Sequence, residues 1–139
     1  MGNSFNINTI NFEDIQDGIK NNSIIVNTLN TDNQHCLIKN TLCVHDEINV
    51  INKLISSSNF DKTIIIYGEN SSDKNIYNKY KQIVDLGFTN TYIYTGGLFE
   101  WLLLQDIYGD DVFPTTSKRN DHLCYKGKKL LNVKNIKNY

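Results

Sequence analysis

The chain has 139 residues, 40% of them hydrophobic, with eight glycines, one proline and a net charge of −1. A chain of this size forms one compact domain and needs no disulfide or metal to be stable. It holds no apolar run near the ~18 residues of a membrane span and no low-complexity linker. The charge is uneven. Residues 118–139 carry seven Lys and Arg against Asp121 alone, leaving seven bases and fourteen acids in residues 1–117. An acidic body joined to a basic tail is the expectation.

Met1-Gly2-Asn3-Ser4-Phe5-Asn6 is a partial N-myristoylation prefix that lacks Ser or Thr at its sixth position. Residues 1–8 therefore read as a polar tail, with no signal peptide. Asn11-Phe12-Glu13-Asp14 looks like an N-cap followed by acids, opening a short helix with Phe12, Ile15 and Ile19 on one face. Ser23-Ile24-Ile25-Val26-Asn27 is a β-branched run, the mark of a strand buried on both sides. After the polar turn Asn30–Gln34, the short apolar segment Leu42-Cys43-Val44 makes Cys43 a small core residue. Asp46 can cap a helix in which Ile48, Ile51, Leu54 and Ile55 recur at helical spacing, ended by Ser56–Asn59.

Thr63-Ile64-Ile65-Ile66-Tyr67 is the second buried strand, followed by the loop Gly68–Asp73. Ile76, Tyr80, Ile83, Val84 and Leu86 then mark an amphipathic helix closed by Gly87. Thr91-Tyr92-Ile93-Tyr94 is the third strand, and Gly96-Gly97 turns the chain sharply into Leu98–Gln105, a helix apolar nearly all round. Pro114 bars helix through Phe113. Strands alternating with helices predict an α/β fold with a mostly parallel central sheet and helices on both faces. The apolar helix needs cover on more than one side. Either residues 110–139 fold back on it through Leu123, Tyr125, Leu130, Leu131 and Val133, or a partner chain covers it, which would make a homodimer through Leu98–Leu104. Closeness in sequence favours the tail.

This order of elements resembles a rhodanese domain over roughly residues 9–109, with 110–139 left as an extension. The most specific stretch is Leu86-Gly87-Phe88, the strand to Tyr94, then Gly96-Gly97 and Trp101, similar to the family's closing pattern. Leu37-Ile38-Lys39-Asn40-Thr41 resembles the segment usually written His-Ile-x-Gly-Ala, and Ser23–Leu29 the opening strand that ends Asp-Val-Arg. The resemblance implies a rhodanese-like single domain. It also implies a catalytic cysteine directly after the strand ending at Tyr67, cradled by backbone N–H groups that lower its pKa, usually with an arginine nearby.

At that position this chain has Gly68, and the loop continues Glu69-Asn70-Ser71-Ser72-Asp73, so two carboxylates border the place of an anion. The sole arginine is Arg119, and the family's Asp, Arg and His correspond to Asn27, Leu29 and Leu37. The resemblance thus implies a degenerate sulfurtransferase with no catalytic residue and no cofactor, a pseudoenzyme serving as a binding or structural module. The loop Gly68, Glu69, Asn70, Ser71, Ser72 and Asp73 remains a binding candidate for a neutral or cationic group or an unidentified protein.

Three alternatives carry less. Cys36 lies in a polar loop beside His35 and is the one candidate for a displaced nucleophile, although adjacent residues of an extended chain point apart. Ser71 or Ser72 would need a base, and Ser72 reads more simply as an N-cap for a helix beginning near Asp73. The basic tail, Lys118-Arg119 and Lys126-Gly127-Lys128-Lys129, could contact nucleic acid or an acidic surface. Three scattered histidines, His35, His45 and His122, have no metal-ligand spacing. Three cysteines, an odd number, favour reduced thiols in the cytoplasm. Heavy use of Asn, Ile and Lys suggests an AT-rich genome such as that of a protist or a large DNA virus, placing the protein in a virion or host cytoplasm in the viral case.

Overall fold

A computed structural model describes residues 7–131; the myristoylation prefix and Val133 lie outside the described residues. Four strands form one all-parallel sheet, β1 (Thr9–Ile10), β2 (Ile24–Asn27), β3 (Ile64–Tyr67) and β4 (Thr91–Tyr94), in the order β1-β4-β3-β2. Among the described residues four α-helices connect or follow them: α1 (Phe12–Lys20), α2 (Val44–Ser56), α3 (Asn75–Asp85) and α4 (Gly97–Tyr108). The expected α/β class, with a parallel sheet between helices, is what the chain adopts.

Side-chain alternation divides the core. Ile64 and Ile66 of β3 join Val26, Ile93, Ile51 of α2 and Ile76, Tyr80 and Ile83 of α3 in one cluster. Ile65 and Tyr67 face the other way, toward Ile15 of α1, Leu98, Trp101 and Leu102 of α4, and Tyr125 from beyond Pro114. β3 therefore buries both faces, which is why it reads as an unbroken Ile-Ile-Ile-Tyr run.

Several local expectations stand. Asn11 caps α1 by accepting from Glu13 N–H (2.8 Å), while Asp14 Oδ2 accepts from Asn11 N–H (3.1 Å) to complete a capping box. Gly87 follows α3 with φ +113°, the left-handed conformation that suits glycine after a helix. Asn40, at the place where the resembled segment has glycine, has φ +70°, a region that asparagine tolerates best among residues with a side chain.

Other details differ. β1 was not legible, since two residues hold no periodicity; pairing with Ile93 and Tyr94 defines it. α2 begins at Val44 with Cys43 at the N-cap position, so Asp46 lies in its first turn and Cys43 is only partly buried. Ile48 is 68% exposed, because the inward stripe of α2 runs through Glu47, Ile51, Leu54 and Ile55 and leaves Ile48 to one side of it. α4 runs to Tyr108, three residues past Gln105. Its Leu98, Trp101 and Leu102 are covered within the chain, yet Leu130 and Leu131 of the tail are exposed; Tyr125 supplies the cover instead. Among the described residues no helix is long and apolar enough to cross a membrane.

Candidate functional site

In a parallel sheet the loops after the strands' C-terminal ends gather at one edge, where helix N-termini also point. Gly68–Asp73 leaves β3 there and leads to α3. It wraps around its own last residue. Asp73 Oδ2 accepts from Glu69 N–H (3.2 Å) and from Thr28 Oγ1–H (2.9 Å), the latter reaching over from the end of β2. Asp73 Oδ1 accepts from Asn75 N–H (3.0 Å), in the first turn of α3. An anion is thus seated at the α3 N-terminus, and it belongs to the protein.

The same carboxylate decides what residue 68 can be. A Cβ on Gly68 would lie 2.4 Å from Asp73 Oδ2 and 2.8 Å from its Cγ. Either Gly68 keeps no side chain or Asp73 moves. Ser72 is not the helix cap expected for it: α3 starts at Asn75, and Asp73 satisfies the free N–H that a capping serine would have met. Ser72 N–H instead donates to Asn70 Oδ1 (2.8 Å), closing an Asx turn inside the loop.

α4 closes the other side. Its first N–H groups donate to the loop, Leu98 to Gly68 O and Phe99 to Glu69 O, both at 2.9 Å. Gly97 makes that approach feasible. Its φ is +71°, and a Cβ there would stand 2.8 Å from Gly68 O and 2.9 Å from Asn70 N. The glycine pair therefore turns the chain and also lets helix and loop backbones touch. Glu69 has its carboxyl raised by partial burial and by the charge of Asp73, with Lys128 pulling the other way.

The three positions read as substitutes for family polar groups sit close by. Asn27 is buried and fully engaged. It donates to Gln34 Oε1 (3.1 Å) and Leu42 O (3.2 Å), and accepts from Leu29 N–H (3.0 Å) and Gln34 Nε2 (2.9 Å). Leu29 and Leu37 are core residues.

Cys36 is buried rather than in a polar loop, because the segment from Cys36 to Ile38 packs under the chain that follows Pro114. Its Sγ donates to Ser117 O (3.4 Å), and burial pushes the thiol up, against smaller opposing effects of Ser117 and Arg119. His35 points outward to Arg119, so the neighbouring pair does diverge, as an extended chain requires. Sequence reasoning missed Tyr125 and Asn70 as a pair: Asn70 Nδ2 donates to Tyr125 O (2.8 Å) across 55 residues, which no local pattern signals. Among the described residues no group of three metal-binding side chains gathers. A groove of about 680 Å³, bordered by Asp17, Ser23, Asp61 and Thr63, lies at the opposite ends of the strands and shares no residue with this loop.

Comparison with known proteins places this arrangement. The family model for the rhodanese-like domain matches residues 9–104. The chain belongs to the rhodanese-like domain family. Among solved structures it is similar to the Alr3790 protein from Anabaena sp., at 16% identity and TM-score 0.53, over 92% of this chain and 87% of that one. It is also similar to Ygr203w, described as a yeast protein tyrosine phosphatase of the rhodanese family, at 13% identity and TM-score 0.53, over 80% and 92% of the two chains. At such identities these likenesses concern the fold. No curated protein matches the chain by sequence.

Proposed function

We infer that this rhodanese-like domain works without sulfurtransferase chemistry, as a binding or structural module. One observation carries the reading: the Asp73 carboxylate fills the space that a side chain on residue 68 would need. The family resemblance assigns residue 68 the nucleophile's position. A sulfur there would have to share the loop with a fixed negative charge, which opposes both a thiolate and an anionic donor. Phosphoryl chemistry of the kind implied by the name of the yeast neighbour would meet the same obstacle. Free Cys36, Cys43 and Cys124 suit a reducing, cytoplasmic setting.

The competing reading, a displaced nucleophile at Cys36, faces a buried sulfur whose proton is held by a carbonyl. An activated thiol needs the opposite surroundings. Thiosulfate:cyanide sulfur transfer on the purified protein and on Cys36→Ser tests both readings. The expected result is no turnover above the blank in either. Turnover that disappears in Cys36→Ser would replace the module with a thiol enzyme. Iodoacetamide gives a second check: exposed Cys124 is expected to alkylate first, and Cys36 only on unfolding.

A further inference from the structure

Beyond Pro114 the chain forms a strap over the edge where the Gly68–Asp73 loop opens. Lys39 N–H donates to Pro114 O (3.1 Å) and Thr116 N–H to Leu37 O (2.8 Å), so the strap begins as a short antiparallel pairing. Ser117 Oγ then donates to His35 O (2.6 Å). Arg119 donates to His35 Nε2 and lies over the Tyr125 ring, 5.5 Å from its centroid. Tyr125 enters the core cluster beside Tyr67, Tyr94 and Leu98 at 2% exposure, while Asn70 holds its carbonyl. Gly127 passes Ser72, and Lys128 comes close enough to favour the Glu69 carboxylate.

Two features distinguish this contact from ordinary core. The first is that Tyr125 is the strap's sole deep anchor among residues 118–131; Leu123, Leu130 and Leu131 are 60–84% exposed. The second is the Tyr125 hydroxyl, which is buried with no partner beyond the adjacent Cys124 thiol, a weak one. A site evolved only to hold this residue would take phenylalanine at no such cost. The phenol stays neutral, pushed up to about 12 by burial, with Arg119 opposing.

Resting on the reading of the domain as a binding module, we propose that Glu69, Asn70, Ser72 and the pocket around Tyr125 form a peptide-docking groove. Residues 119–128 occupy it in cis. A segment of a partner protein with the same chemistry, an aromatic residue followed by basic ones, takes it when the strap leaves. The aromatic side chain fills the pocket, Asn70 reads the backbone carbonyl beyond it, and Glu69 meets the lysine. A linked occupant competes at an effective concentration on the order of millimolar, so a free peptide binds the closed protein weakly.

The test is fluorescence anisotropy with a labelled synthetic peptide of residues 119–129, its cysteine replaced by serine, against full-length protein. Tyr125→Ala and Arg119→Ala, which loosen the strap, are expected to bind the peptide at least tenfold tighter than the unaltered chain. Adding Asn70→Ala to Arg119→Ala should weaken that binding about fivefold, and a peptide carrying Tyr125→Ala should not bind. Circular dichroism checks folding. If Tyr125→Ala unfolds, Arg119→Ala, altered at a partly exposed residue, carries the comparison. No gain of affinity in the folded strap variants, or equal binding of the peptide without its tyrosine, overturns the proposal. So does a gain for single-stranded oligonucleotide with none for the peptide, which would make the strap an anion-binding arm. Sulfur transfer by the same preparations would overturn the non-enzymatic reading and leave the peptide result standing.

Discussion

Asp73 accepts three hydrogen bonds from three parts of the chain: the end of β2, the loop itself and the first turn of α3. That arrangement keeps a negative charge at the helix N-terminus, where the backbone favours one. Gly68 is its steric complement, since a Cβ would fall 2.4 Å from Oδ2. Gly68→Cys is therefore expected to destabilise by ~1–3 kcal/mol through overpacking. Asp73→Ala is expected to cost ~1–3 kcal/mol through unpaired donors. The double substitution should cost less than the two together, because removing the carboxylate makes room for the thiol. Urea denaturation of the four proteins measures the coupling; strict additivity would mean the two positions do not contend for one space. In the sequence, Asp73 was legible only as a charge bordering the loop. Its inward rotation depends on Thr28, a partner 45 residues away.

The elements show how far local pattern reaches. β2, β3 and β4 were legible because strands buried on both faces must be continuously apolar, and α1 because its capping box is written in adjacent residues. β1, the start of α2 and the outward-facing Ile48 were not, since each depends on a neighbour distant in sequence or on helix phase. Tyr67 shows why a strand's last residue can matter beyond its apolar area. Its hydroxyl accepts from Ile38 N–H (3.1 Å) and shares a hydrogen bond with Thr41 Oγ1 (2.9 Å), tying the segment beside β2 to the end of β3. Tyr67→Phe leaves the buried Ile38 donor unpaired and should lower stability by ~1–3 kcal/mol. The expected urea curve has an earlier midpoint and an unchanged slope. An unshifted midpoint would show that water replaces the phenol.

Across the whole molecule, burial holds the phenols of Tyr67, Tyr94 and Tyr125 above their ordinary value, Tyr125 up to about 12. A folded-state pKa raised in this way means the native protein retains protons that the unfolded chain gives up near pH ~10. Stability is thus whole below that pH and falls as pH rises through the region above it. Far-UV ellipticity is expected to collapse above pH ~10 together with a late phenolate absorbance step. Complete phenolate formation with ellipticity intact would mean these tyrosines are open to solvent. The rhodanese-like order of elements, the glycine at position 68 and the shortage of cations in the loop all followed from the sequence, because each is local and periodic or a matter of residue type. The seat of Asp73 inside its own loop, the burial of Cys36 and the docking of Tyr125 against Asn70 were decided by the tertiary structure. These contacts join residues tens of positions apart, and the geometry that brings them together exists only once the sheet has aligned its strand ends on one edge.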